Sequence, residues 1–156
     1  RRAYALHRLV ARSAVIKHEQ YTKSMSLQKD KHVDVIIVED DPIISRMYHI
    51  KLSQAGYHIL VATNGADSVK LVREHHPKLV LTDINMPEMT GIEAIRQLKS
   101  ERYDFSRTAV VFLTNSNSLS DIEQAADLGA GYIMKSYQTP RQVLKLIQAK
   151  IGKVSV

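Results

Sequence analysis

The sequence predicts an α/β fold, a doubly wound five-stranded parallel sheet with helices on both faces. Three observations predict it. Five short apolar runs end at turn residues, which is typical of buried strands. Five segments with helix caps alternate with them, and this alternation is typical of a parallel sheet covered on both faces. The chain has 156 residues, which suits one domain with a sizeable core.

The strands are predicted from the apolar runs and the turn residues that bound them. The run at 78–82, Lys-Leu-Val-Leu-Thr, passes directly into Asp83 and then into a turn ending at Pro87. The predicted strands span residues 33–38, 58–62, 78–82, 108–113 and 131–134.

The first two helices are predicted from their end signals. Asp41 is the N-cap of a helix over residues 42–55, with Pro42 at its first position and Gly56 after its last turn. Asn64 caps a second helix that ends near His75, before a proline.

The last three helices also begin at recognisable caps. Thr90 and Glu93 form a predicted capping box for a helix to about residue 100, and Ser120 and Glu123 form another for a helix ending before residue 129. Thr139, followed by proline, opens a last helix to about residue 151.

Right-handed crossovers leave few strand orders for this pattern, and the flavodoxin-like order 2-1-3-4-5 is the natural one. A general rule, stated for this same fold, places ligands at the carboxyl edge of the sheet, beside the switch point between strands 1 and 3.

The net charge of +6 belongs to the start of the chain. Residues 1–32 hold eight basic and two acidic residues, whereas residues 33–156 hold fourteen of each. A charge argument for nucleic-acid binding by the domain therefore fails, and we expect no direct DNA binding. The sequence has no cysteine and no apolar run of membrane-spanning length, so we expect a cytoplasmic protein.

The division into residues 1–32 and 33–156 follows from the same contrast. The first segment is predicted to be a basic, weakly amphipathic helix over roughly residues 3–20. Because Met25 lies just before the first strand, a native start there, with leader sequence upstream, is the first hypothesis. The tail of a preceding signalling helix is the second. No output domain is expected after the last helix.

Chemically useful side chains follow four of the five strands. Glu39 and Asp40 end strand 1, Asp83 ends strand 3, Thr114 ends strand 4 and Lys135 ends strand 5. Crowded carboxylates ionise together only beside a cation, and carboxylate oxygens with water are what Mg²⁺ prefers. A hydroxyl and an ammonium group nearby suit a phosphoryl group carried on a carboxylate.

These residues carry a family resemblance over about residues 33–151. The motifs are Val-Ile-Ile-Val-Glu-Asp-Asp-Pro at 35–42, Leu-Val-Leu-Thr-Asp-Ile-Asn-Met-Pro at 79–87 with Gly91, Val-Val-Phe-Leu-Thr at 110–114, and Gly-Tyr-Ile-Met-Lys at 131–135. In order and spacing, they resemble the receiver domain of two-component response regulators, the single-domain chemotaxis regulator included.

The resemblance implies a role for each matching residue. Asp83 is the phospho-acceptor. Mg²⁺ is held by Asp40 directly, by Glu39 through water, by Asp83, and by the backbone carbonyl of Asn85. Thr114 and Lys135 contact the phosphoryl group. Tyr132 matches the aromatic residue whose ring turns inward on activation. A half-buried tyrosine that only packs on the last strand explains a tyrosine at this position equally well.

The resemblance also implies partners. The phosphoryl donor is a sensor histidine kinase or a histidine phosphotransfer protein. The face formed by helix 4, strand 5 and helix 5 binds a downstream protein, and a homodimer is possible. The domain is not an enzyme with separate substrates, because it catalyses only its own Mg²⁺-dependent phosphotransfer and dephosphorylation.

Two positions depart from the family pattern. Asn115 stands where a small residue is usual, which could narrow the access to the phosphoryl group or add a hydrogen bond. Ser136 stands where the family commonly has a proline after a cis peptide bond, so the loop after Lys135 is expected either to keep a costly cis bond or to differ.

Three other functions are compatible with parts of this pattern. A haloacid-dehalogenase-type phosphatase would have a second aspartate at Asn85, and a flavin-binding module would not carry three acids after strand 1. A receiver-like interaction domain that is never phosphorylated is the main alternative, kept open by Asn115 and Ser136.

Overall fold

The structure is a computed structural model, and it describes residues 32–154. The prediction of a basic helical segment over residues 1–32 lies outside these residues, apart from His32.

The sheet is parallel and has five strands in the order β2-β1-β3-β4-β5, as predicted. Its first strand begins two residues later than expected, at Val35. The strands are β1 Val35–Val38, β2 Ile59–Ala62, β3 Leu79–Thr82, β4 Ala109–Thr114 and β5 Gly131–Met134.

Five α-helices alternate with the strands in the described residues, which confirms the doubly wound α/β prediction. They are α1 Pro42–Ser53, α2 Gly65–His75, α3 Gly91–Ser100, α4 Leu119–Asp127 and α5 Pro140–Ile151. Asp41 caps α1 as predicted, because its carboxylate accepts hydrogen bonds from the backbone N–H groups of Ile43 and Ile44.

The sheet divides the core into two layers. Alternate residues of each strand point to opposite faces, so β1 sends Ile36 and Val38 to one layer and Val35 and Ile37 to the other. Helices α2, α3 and α4 contribute buried residues to the first layer, and α1 and α5 contribute to the second. None of the described helices combines the length and the hydropathy that a membrane span requires.

The helix caps are partly as predicted. Thr90 and Glu93 form the expected capping box at α3, with each side chain bonded to the backbone N–H of the other residue. The predicted box at Ser120 is wrong. Helix α4 begins at Leu119, so Ser120 lies inside its first turn, and the actual N-cap, Ser118, makes no capping bond with its side chain. The pattern Ser-x-x-Glu occurred by chance two residues after the true cap.

This difference gives a stability prediction. Thr90→Ala should lower the free energy of unfolding by about 1 kcal/mol, because it leaves a helix-end N–H without its partner. Ser120→Ala should change the free energy by less than about 0.5 kcal/mol, since Ser120 is exposed and its hydroxyl bonds only to the side chain of Gln124. Urea unfolding measures both, and an equal loss in the two variants would contradict the assignment of the α4 cap.

Candidate functional site

Three carboxylates meet at the carboxyl edge of the sheet. Strands β1 and β3 are hydrogen-bonded neighbours with Val38 opposite Thr82, so the residues that follow them leave the sheet side by side. Glu39, Asp40 and Asp83 each offer an oxygen that lies within 4.8 Å of the others. The predicted convergence of these three acids is therefore present.

Lys135 joins this cluster from the end of β5. Its ammonium Nζ lies 2.5 Å from Glu39 Oε2 and 2.6 Å from Asp83 Oδ2. The side chains of all three residues are largely buried, with exposed fractions of 8%, 5% and 12%. One cation thus bridges two carboxylates that would otherwise repel each other.

The surroundings shift the protonation of this cluster. Burial raises the pKa of Glu39 above its ordinary value, and the hydrogen bond and charge of Lys135 only partly offset this effect. Burial by itself would lower the pKa of Lys135, but its hydrogen bonds to Asp83 and Glu39 outweigh burial and raise it. Lys135 therefore stays charged, whereas Glu39 takes up a proton more readily than an ordinary glutamate.

The backbone holds Asp83 in one orientation. Its Oδ1 accepts hydrogen bonds from the N–H groups of Ile84, at 2.6 Å, and Asn85, at 3.2 Å. Its Oδ2 faces Lys135. One oxygen of the carboxylate is thus fixed by the loop, and the other carries the ion pair.

Helix α3 packs closely against this loop at Gly91. A Cβ atom on Gly91 would lie 2.0 Å from the backbone oxygen of Asp83 and 2.7 Å from Thr82 Oγ1. The Thr82 hydroxyl donates a 2.8 Å hydrogen bond to the same oxygen. Only a glycine fits here, so the residue quoted in the sequence motif positions the backbone that carries Asp83.

Two further predicted residues, Thr114 and Tyr132, lie on β4 and β5. Thr114 is fully buried, and its Oγ1 accepts a 3.2 Å hydrogen bond from the N–H of Ser116. Tyr132 is half-buried, and its hydroxyl donates to the backbone carbonyl of Ser116. Both predicted residues thus contact the β4–α4 loop, and neither is hydrogen-bonded to Asp83.

The structure shows which conformation the loop after Lys135 adopts. The peptide bond between Lys135 and Ser136 is trans, since the described residues contain no cis bond. Residues Lys135–Tyr137 instead form a 3-10 turn. Of the two outcomes expected at Ser136, the structure therefore has the one in which the loop differs.

The donor set fits a magnesium ion. Glu39, Asp40 and Asp83 offer only oxygen atoms, the ligands that Mg²⁺ prefers, and the exposure of Asp40 leaves room for the water molecules that the ion retains. The backbone oxygen of Asn85, on an exposed loop, was predicted as a further ligand, and this stays a prediction.

Comparison with known proteins identifies the family. The family model for the response regulator receiver domain matches residues 35–148. The chain belongs to the response regulator receiver family. It is thus a receiver domain of the kind found in two-component systems, and the family suggested by the sequence motifs is confirmed.

Similar receivers are known as sequences and as structures. The polar-differentiation response regulator DivK of Brucella ovis is 30% identical over 119 residues, which cover 76% of this chain and 95% of DivK. A CheY-like receiver domain protein from Methanospirillum hungatei is 26% identical, with a TM-score of 0.70 over 78% of this chain and 94% of that one.

A third similar structure comes from a complex. The receiver domain of Saccharomyces cerevisiae Ssk1, crystallised with the histidine phosphotransfer protein Ypd1, is 27% identical, with a TM-score of 0.66 over 76% of this chain and 88% of that one. The chain spans about half the length of several other curated relatives that it matches.

The sequence did not predict the pairing of Ser116 with Asp121, which lies beside the site. The hydroxyl of Ser116 donates to the carboxylate of Asp121 on α4, and the Ser118 N–H donates back to that hydroxyl at 3.3 Å. The sequence signal was a Ser-rich loop before an acidic first turn, which by itself predicts only a helix start.

Proposed function

We propose that this receiver domain accepts a phosphoryl group on Asp83, from a phosphohistidine on a sensor histidine kinase or a histidine phosphotransfer protein, in a reaction that needs Mg²⁺. The observation that carries the proposal is the meeting of Glu39, Asp40, Asp83 and Lys135 at one edge of the sheet. Residues 33–156 would form the receiver domain, in the cytoplasm, with residues 1–32 as an N-terminal extension.

The chain's own residues would each do a defined part of the transfer. An oxygen of Asp83 attacks phosphorus, the bond from phosphorus to the donor imidazole breaks, and its electron pair returns to the imidazole nitrogen. Lys135 already contacts Asp83 Oδ2, so its ammonium lies where the charge of the phosphoryl oxygens would develop.

Mg²⁺ held by Glu39, Asp40 and Asp83 would neutralise phosphate charge and align the donor. Thr114 ends β4 at the same edge, and its hydroxyl hydrogen is free to donate, because Oγ1 acts as an acceptor toward Ser116.

The negative charge that phosphorylation adds to Asp83 would trigger the conformational change. Phosphorylation adds roughly −1.5 to −2 charges at the site, by analogy with other phosphorylated side chains. Lys135 would then exchange Glu39 for the phosphoryl oxygens, and Thr114 would turn toward them. Tyr132 shares the β4–α4 loop with Thr114, so this movement would reach the tyrosine.

The output surface would be the face formed by α4, β5 and α5. The elements of this face carry exposed apolar side chains: Leu119 of α4 is 76% exposed, Leu146 of α5 is 46% exposed, and Tyr137 in the loop between β5 and α5 is 75% exposed. Large exposed apolar groups mark protein-binding surfaces when they cluster. The occupant would be a downstream protein or a second copy of the chain.

Acetyl phosphate provides a direct test. The purified protein is incubated with acetyl phosphate and Mg²⁺, and its intact mass is measured. We expect a gain of one phosphoryl group, which is absent when the metal is chelated with EDTA. No gain of mass at saturating acetyl phosphate and Mg²⁺ would favour the receiver-like interaction domain that is never phosphorylated.

A further inference from the structure

Every polar group of Ser116 is engaged with a different part of the domain. Its N–H donates to Thr114 Oγ1 at 3.2 Å, and its carbonyl accepts from the Tyr132 hydroxyl. Its own hydroxyl donates to Asp121 and accepts from the Ser118 N–H. This one residue thus connects the end of β4, the first turn of α4 and the strand β5.

The contact with Thr114 has a chemical consequence. A hydroxyl oxygen that accepts a hydrogen bond still has its own hydrogen to donate, and the accepted bond restricts the rotation of that hydroxyl. Thr114 is fully buried, so no solvent molecule competes for the position taken by the Ser116 N–H. The Ser116 backbone therefore orients the hydroxyl at the end of β4.

The contact with Asp121 holds this arrangement in place. Residues 115–118 form a loop without regular structure, and Asn115 and Ser118 are exposed, so few packing contacts fix the backbone there. The bond from Ser116 to Asp121 ties the middle of the loop to helix α4.

We infer that Ser116 and Asp121 are positioning residues for phosphoryl transfer, acting through the Thr114 hydroxyl. The Ser116–Asp121 bond holds the β4–α4 loop so that Ser116 N–H presents the Thr114 hydroxyl hydrogen to the incoming phosphoryl group. This inference rests on the proposed phosphorylation of Asp83. It assigns to Ser116 and Asp121 a contribution to the rate.

The test measures the rate of phosphorylation by acetyl phosphate over a range of concentrations. Ser116→Ala and Asp121→Ala should each lower the saturating rate by roughly tenfold, the lower end of the factor expected from one hydrogen bond to a charged carboxylate. The concentration at half-saturation should stay unchanged, because donor binding does not use this bond. Ser116→Thr and Asp121→Asn, which keep a donor and an acceptor, should retain the rate.

Two further variants separate positioning from a merely structural role. Ser118→Ala is the matched control in the same loop, since its side chain makes no capping bond, and it should react at the wild-type rate. In a Thr114→Ala background, Ser116→Ala should cause no further loss, because the group that it positions is absent.

The outcomes are distinct. A loss that persists in full in the Thr114→Ala background, or an unchanged rate in both alanine variants, would overturn the inference and leave Asp83 phosphorylation intact. Failure of the wild-type protein to gain a phosphoryl group would overturn the proposed function, and the inference with it.

Discussion

The Asp83→Asn variant should take up no phosphoryl group from acetyl phosphate and Mg²⁺ under conditions that phosphorylate the wild-type protein. An amide oxygen cannot form the acyl phosphate at a useful rate, because it lacks the negative charge of a nucleophilic carboxylate. The backbone bonds from Ile84 and Asn85 can still be accepted by the asparagine oxygen, so the loop should keep its conformation. Intact mass after incubation measures the loss.

The neighbouring acids provide the controls for this variant. Asp41→Asn should still be phosphorylated, because Asp41 caps α1 and asparagine is an equally good cap. Asp40→Asn should be phosphorylated more slowly and require more Mg²⁺, since Asp40 is a proposed ligand. Phosphorylation of Asp83→Asn to the same extent as the wild type would place the acceptor on another carboxylate.

The fold could be predicted from local signals because each element has its own. Asp41 with Pro42 marks one helix start and Thr90 with Glu93 marks another, and these caps depend only on nearby residues. The α4 cap was misplaced because the loop before it contains several serines, and choosing among Ser116, Ser118 and Ser120 depends on the packing of α4 against β5. Sequence periodicity does not encode that contact.

For the candidate site, the sequence predicted which residues lie at the ends of the strands, but not how their side chains pair. Parallel strands bring their carboxyl ends to one edge, and β1 and β3 are neighbours, so Glu39 and Asp83 had to lie near each other, with Lys135 two strands further along the same edge. The pairing of Lys135 with both acids, at 2.5 and 2.6 Å, could not be predicted, since it depends on the side-chain conformation of a lysine 52 residues from Asp83. The contacts of Ser116 could not be predicted for the same reason, because its partners lie on three different elements.

Lys135 compensates the charge of this acidic site, and its replacement should therefore be costly for stability. Removing one member of a buried ion pair typically costs about 3–5 kcal/mol, and because the site opens to solvent at Asp40 we expect about 2–3 kcal/mol for Lys135→Met near pH 8. Lys145→Met, at an exposed position of α5, is the control and should cost less than about 0.5 kcal/mol.

The cost of Lys135→Met should depend on pH with a definite sign. Burial already raises the pKa of Glu39 above 4.5, and without Lys135 nothing comparable opposes that shift. The folded variant then binds a proton more tightly than the unfolded chain, so its stability falls as pH rises from about 4.5 through the folded pKa of Glu39. In the wild-type protein Lys135 stays charged across this range, because its pKa is raised above 10.5.

The stability gap between the two proteins should therefore widen from pH 5 to pH 8. Urea unfolding at the two pH values measures this gap, and added Mg²⁺ should narrow it at pH 8, since a bound cation would replace the missing ammonium charge. A gap that is the same at both pH values, and insensitive to Mg²⁺, would mean that Lys135 stabilises the domain by packing alone. The carboxylates would then not form the charged site on which phosphoryl transfer depends.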